Sequence, residues 1–309
     1  MIGIAAFRVP VTALPGISVA GLSRLLAAGV ALALAGCSEP APTPASADPA
    51  IWHVSGLHGE EAWLFGTIHS APEPLAWRST KVSEALARSG EIVVEVANIS
   101  DEAAVAQAFT GLSRSPGLPP IAQRVAPARR RDLEAMLAAR NIAPESLRDV
   151  ETWAVALMLA RPEDGAGTRN GVDRAVLASA KGKPVVELEG AAAQLSIFDR
   201  LPEADQRDLL HAVLTDAGAL DSADADLVDV WRKGDMARIE AETRTGLLAD
   251  PELRGALFTR RNHRWLTRIK EEMEAGRRPF VAVGGAHMVG PDGLVELLRN
   301  EAYTVTRLQ

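Results

Sequence analysis

The chain has one cysteine, Cys37, and one tyrosine in 309 residues. A single thiol leaves nothing to form an internal disulfide, so the folded part must hold itself together by its apolar core. It also excludes zinc sites built on cysteine pairs. Aromatic residues make up only 4% of the chain, which leaves few anchors for a large hydrophobic substrate outside the segment from Trp52 to Phe65. Positive charge is scarce too: the formal net charge is −7. No basic stripe with interleaved aromatics appears, and this argues against a nucleic-acid partner. The densest basic cluster, Arg129-Arg130-Arg131, is followed at helical spacing by Leu133, Met136 and Leu137 and reads as the start of a solvated helix face. Familiar catalytic signatures are missing as well. There is no His-Glu-x-x-His, no phosphate-cradling Gly-x-x-x-x-Gly-Lys and no Gly-x-Ser-x-Gly elbow.

What is present begins at the amino terminus. Arg8 and Arg24 are the only charges between Met1 and Gly36, and an apolar run from Leu25 to Leu34 precedes Ala35-Gly36-Cys37. A basic residue, a short apolar core and small residues at a cut are what export and cleavage need. The run falls short of the roughly 20 residues that span a bilayer. Leu34-Ala35-Gly36-Cys37 resembles the lipobox of bacterial lipoproteins. Residues 1–36 then read as a signal peptide, and acylated Cys37 as an anchor in the lipid bilayer. The alternative is an ordinary signal peptide with an incidental cysteine. Ser38 follows the cysteine where an aspartate commonly retains lipoproteins at the inner membrane, so the expected location is the periplasmic face of the outer membrane. Residues 37–50 are rich in proline, alanine and serine and read as a tether.

From residue 51 to 309 the pattern is that of one α/β domain, a layered sheet with flanking helices. Residues 51–54 and 62–65 form an expected hairpin, 78–89 a helix, and 91–96 a buried strand. Roughly 101–160 is a helical insertion, and its segment Thr152–Ala160 is apolar nearly all round. A helix over 171–181 leads to a strand over 184–189. Residues 203–248 are helical, 251–276 read as one long helix, and 280–283, 291–300 and 303–305 close the chain as strand, helix and strand. Two themes recur. An apolar strand followed by Gly-x-x-His occurs at Gly66–His69 and Gly284–His287, and Val-Val-Glu occurs at 93–95 and 185–187. The recurrence suggests two related halves.

The candidate site residues are polar groups placed where a core pattern expects apolar ones. His69 and His287 each lie three residues past a glycine that ends a strand, where ligand sites of α/β sheets gather, and Gly66 and Gly284 allow close backbone approach. Two neutral imidazoles so placed suit a divalent metal, with carboxylates completing the shell; either could instead be a satisfied core residue. His53, His58 and His211 lack that setting. Glu95 ends one strand, and Glu187 and Glu189 share one face of another. One of this pair is expected to be exposed if the strand lies at an edge. Arg261 falls in a stripe with Leu257, Phe258 and Trp265, and Asn262 adjoins it. A core-facing Arg261 would need Glu95 or Glu189 as a bidentate partner; otherwise it snorkels to solvent.

These pieces, taken in order, resemble the TraB/GumN family, which includes the Tiki-like metalloproteases. The matching segments are Leu64–His69, Val93-Val94-Glu95, Gly171-Val172-Asp173, Gly182–Glu189 with Gln194-Leu195, Arg261-Asn262 before Trp265, and Val283–Leu294. The resemblance implies an α/β fold related to erythromycin-esterase-like and ChaN-like proteins. It implies a divalent metal, manganese or cobalt with zinc as the alternative, on His69 and His287. Glu95 would be a ligand or the general base. Glu189 and Arg261 would support the site or touch substrate; in a hydrolase Glu189 would be an alternative base, and Arg261 would hold the base or steady an oxyanion. Asp173, Asn262 and Gln194 would support the site or touch substrate. The expected function is an envelope-tethered metal-dependent hydrolase, a peptidase by resemblance, acting on a peptide or another small envelope substrate. The alternatives are a non-catalytic envelope protein that sequesters a peptide signal, haem or metal, and a structural lipoprotein.

Overall fold

A computed structural model describes residues 45–99, 101–161, 170–216 and 220–309. The signal segment, Cys37 and the start of the tether lie outside them. The fold is α/β, built on a six-stranded mixed sheet ordered β6-β5-β7-β3-β2-β8. β2 (Ile51–Ser55) and β3 (Glu61–Thr67) form the expected hairpin, with Ile51 opposite Phe65. β5 (Glu91–Val94) and β7 (Pro279–Gly284) are buried along their whole length, as an apolar run in the middle of a parallel sheet requires. β8 (Thr304–Arg307) and β6 (Val185–Glu187) are the edges. A separate two-residue ladder pairs β1 (Ala45–Ser46) with β4 (Leu75–Ala76).

Apolar side chains cover both faces of the sheet. On one face, α11 (Arg260–Glu274) and α12 (Leu294–Asn300) bury Trp265, Ile269 and Leu298 against Leu64, Val93 and Val281. On the other, α1 (Thr80–Arg88) and α5 (Val172–Ala178) bury Val82, Leu86 and Val176 against Phe65, Ile92 and Phe280. α1 starts where Ser79 accepts a hydrogen bond from the Val82 amide.

The helical part is larger than a single middle insertion. α2 (Glu102–Leu112), α3 (Arg130–Ala139) and α4 (Thr152–Leu159) share one core with α6 (Ala191–Asp199), α7 (Glu203–Asp216) and the start of the 251–276 segment. So the insertion comes in two pieces separated by α5 and β6. Buried Arg124 ties its loops together, donating to the carbonyls of Pro119, Leu147 and Val150. α8 (Leu220–Arg232) and α9 (Met236–Glu242) return the chain to the sheet, where Trp231 Nε1 donates to the Gly66 carbonyl at 2.7 Å.

The expected long helix over 251–276 is interrupted. α10 (Pro251–Arg254) passes through a π turn at Gly255–Thr259 before α11 begins. Such a turn inserts one residue and rotates all that follows, and it is frequent beside functional sites. Here it directly precedes Arg261. The strand expected over 184–189 shortens to three residues at the sheet edge, where Glu187 is exposed.

Candidate functional site

The site lies at the carboxyl ends of the parallel strands. β3 and β7 are neighbours with Thr67 opposite Gly284, so the two Gly-x-x-His turns leave the sheet side by side. β5 flanks β7 on its other side and delivers Glu95 one residue past its end. After β6, the Glu189 amide donates to the Glu95 carbonyl at 3.1 Å, which places Glu189 beside it. The two strand-end glycines are needed for space. A Cβ on Gly66 would sit 3.0 Å from the Gly285 Cα. One on Gly284 would sit 3.2 Å from His69 Nε2 and 3.4 Å from Glu95 Oε1.

Arg261 is the hub, and it does not snorkel: its side chain is only 7% exposed. Nη2 donates to Glu95 Oε2 at 2.7 Å and lies 2.9 Å from Glu189 Oε2, while Nε faces both Glu189 oxygens at 3.0 and 3.1 Å. Nη1 donates to the Leu257 carbonyl at 3.0 Å and stands 3.3 Å from His287 Nε2. Arg264 adds a second cation to Glu189 at 3.2 Å. Three donors hold Glu95: Oε1 accepts from the Gly284 amide at 2.8 Å, and Oε2 accepts from Gln194 Nε2 at 3.0 Å as well as from Arg261. Burial alone would raise its pKa, but Arg261, the nearby imidazoles and the Gly284 amide more than reverse this and bring it down to about 2.

The two histidines have opposite surroundings. His287 is buried, with Nδ1 2.6 Å from Asn262 Oδ1. Its ring stacks on Phe258 at 4.8 Å and 11° and tilts against Trp265 at 4.5 Å. Burial, and then the Arg261 charge, push its pKa down to about 3, so the ring is neutral. His69 makes one hydrogen bond among the described residues, from Nδ1 to Asp173 Oδ2 at 3.1 Å. Burial opposes its charged form, but the hydrogen bond and charge of Asp173, assisted by Glu95, overcome this and leave its pKa raised. Its Nε2 is turned toward Gly284 and Glu95.

A narrow pocket with a cavity volume of about 10 Å³, room for about one water, lies against His69, Glu95, Asp173, Gln194 and Thr67, with Val94, Ile99, Leu177 and Ala282 as apolar wall. Among the described residues, Thr67 Oγ1 and Asp173 Oδ1 are buried without a hydrogen-bond partner. Such atoms call for a bound water or a ligand donor.

The donor set tests the expected metal. Among the described residues, no group of three or more His, Cys, Asp or Glu side chains stands ready to hold an ion. His69 Nε2 and Glu95 Oε1 converge at Gly284, but both ring nitrogens of His287 are engaged and a guanidinium faces its Nε2. A cation placed there would meet like charge. As arranged, these residues do not fit a three-ligand metal centre, and we derive no step through one.

The structure thus gathers His69, Glu95, Asp173, Glu189, Gln194, Arg261, Asn262 and His287 at one strand edge. Cys37 lies outside the described residues. Sequence reasoning passed over Thr67, although it stands inside the Gly66–His69 motif. It read Phe258 and Trp265 as a core stripe, without seeing that they clasp His287.

The sequence profile of the TraB/PrgY/gumN family matches residues 50–307. The chain is also similar to the uncharacterized protein YbaP of Escherichia coli (strain K12), 25% identical over 246 residues that cover 76% of this chain and 87% of YbaP. YbaP of Shigella flexneri matches to the same extent. No solved structure matches.

Proposed function

Because this chain belongs to the TraB/PrgY/gumN family, we propose that it is a hydrolase of the bacterial cell envelope acting on a peptide or another small envelope substrate. The observation that carries this reading is the His69–Asp173 pair. Asp173 occupies Nδ1, which leaves Nε2 facing Gly284 and Glu95; His69 and Glu95 both line the pocket, where Thr67 Oγ1 and Asp173 Oδ1 lack a hydrogen-bond partner among the described residues. An imidazole oriented by a carboxylate is a general base for water, and Asp173 favours the imidazolium that forms when the ring takes the proton. Glu95 is unsuited to that task, because a carboxylate brought down to about 2 and held by three donors takes up protons poorly. Its negative charge instead favours the imidazolium formed as His69 takes the proton. The same proposal takes the paired Gly-x-x-His turns and the adjacent Val-Val-Glu strands as traces of two related halves. It also takes acylated Cys37 as the membrane tether; Cys37→Ser should move the protein from the membrane fraction to the soluble one.

The test is cleavage of a peptide library by the full chain, with and without chelator. His69→Ala should lower cleavage by about 10²–10⁴-fold, the usual contribution of a general base, and Asp173→Asn should lower it less. Chelator should leave the wild type unchanged. Cleavage that chelator abolishes and manganese, cobalt or zinc restores would overturn the metal-free reading. A second reading is a non-catalytic envelope protein that sequesters a peptide signal, haem or metal. Saturable binding with the ligand recovered intact would establish it.

A further inference from the structure

The second Gly-x-x-His turn carries an inference that does not depend on which reaction the site performs. Asn262 Nδ2 donates to the carbonyl of Asp292 at 2.6 Å and approaches that of His287 at 3.4 Å. Both partners accept, so the amide cannot be turned round, and it is the oxygen, Oδ1, that meets His287 Nδ1 at 2.6 Å. An acceptor at that distance requires a proton on Nδ1. The neutral ring then has its lone pair on Nε2, which faces Arg261 Nη1 at 3.3 Å.

From the side of Arg261 the count closes. A guanidinium has five N–H donors. Nε donates to Glu189, Nη2 donates to Glu95 and forms an ion pair with Glu189 at 2.9 Å, and one Nη1 hydrogen goes to the Leu257 carbonyl, which leaves the other Nη1 hydrogen. The one direction left is the one that His287 Nε2 accepts. The ring cannot swing away, because Phe258 stacks on it and Trp265 packs against it. The Arg261 guanidinium in turn lies 4.6 Å from the centre of the Trp265 ring.

We infer that His287 is a neutral acceptor, fixed with its proton on Nδ1, that completes the hydrogen-bond shell of Arg261 and so holds Glu95 and Glu189 in place, and that it is not an ion ligand. It is a positioning residue acting through Arg261. The same four-residue motif therefore serves two ends: His69 turns its Nε2 toward Gly284 and Glu95, and His287 turns its own to a guanidinium.

The test is nitrogen NMR of the full chain in detergent, with histidine and arginine labelled. His287 should show a protonated Nδ1 and an unprotonated Nε2, and excess zinc should not shift either signal. The Arg261 Nε–H signal should be slow to exchange. His287→Gln, whose side-chain oxygen can replace the Nε2 acceptor, should keep that slow exchange, and His287→Ala should lose it. If the alanine variant does not fold, the wild-type tautomer and the glutamine variant still decide. A proton on Nε2, or a zinc shift at His287 with one bound ion per chain that His287→Gln abolishes, would overturn the inference. No readout uses cleavage, so its failure is distinct from failure of the hydrolase reading.

Discussion

The turns that follow β3 and β7 have the same four-residue form and lie side by side, yet their histidines titrate in opposite directions. His69 faces a carboxylate and a pocket; His287 faces an arginine and is clasped by two aromatic rings. The difference comes from what packs on each turn. α5 brings Asp173 to the first, and α11 brings Arg261, Asn262 and Trp265 to the second. A motif therefore places a side chain but does not set its protonation. The partners contributed by distant segments do that.

The most damaging way to break the comparison is to remove the arginine. Arg261→Met leaves two buried carboxylates, Glu95 and Glu189, without their shared cation and takes the donor from His287. Breaking a buried ion pair at one partner costs roughly 3–5 kcal/mol, so urea denaturation should show a loss of that order. A loss below about 1 kcal/mol would mean that Glu95 and Glu189 do not depend on it.

Acid should separate the two histidines. His69 has a raised pKa in the folded state, so its contribution is fully present below the unfolded value near 6.5 and is lost as pH rises through the folded value. His287, brought down to about 3, does the reverse: unfolding lets it take a proton below about pH 6.5, which costs about 2 kcal/mol of stability at pH 5. Comparing urea midpoints at pH 7 and pH 5, His69→Ala should steepen the loss on acidification and His287→Phe should reduce it. Equal responses would mean that the two rings share one environment.

A third test sharpens the contrast from the other end of the sheet. Glu91 starts β5, far from the strand-end turns, and is buried. Burial and then the neighbouring Glu272 carboxylate raise its pKa from 4.5 to about 7, while Arg277 and Arg268 oppose the rise. A carboxyl with a raised folded pKa holds its proton in the folded state, so stability falls as pH increases from about 4.5 to 7. Glu91→Gln should flatten the Tm profile in that window and leave the responses of His69 and His287 unchanged. An unaltered profile would remove Glu91 as its source.

Much of this arrangement was legible in the chain. The hairpin, the buried central strands and the α5 helix follow from apolar periodicity and from where serine, glycine and proline interrupt it. Arg261 and Glu95 stood out because a charge inside an apolar stripe or strand requires a partner. The π turn at 255–259 was not legible, since it is a local shift in hydrogen bonding with no residue type of its own. Nor was the two-piece helical region, because segments over thirty residues apart share its core without any repeat in their sequence.

By itself the sequence determined the α/β character, the strand-end glycines and the set of polar residues to be gathered, because periodicity and the cost of burying charge are local properties of the chain. Only the tertiary structure decided which partner each polar group received. Asp173 stands 104 residues from His69 and Arg261 stands 166 from Glu95. Which histidine keeps a free nitrogen, and which is held neutral against a guanidinium, depends on contacts within a few ångströms that no spacing in the sequence encodes.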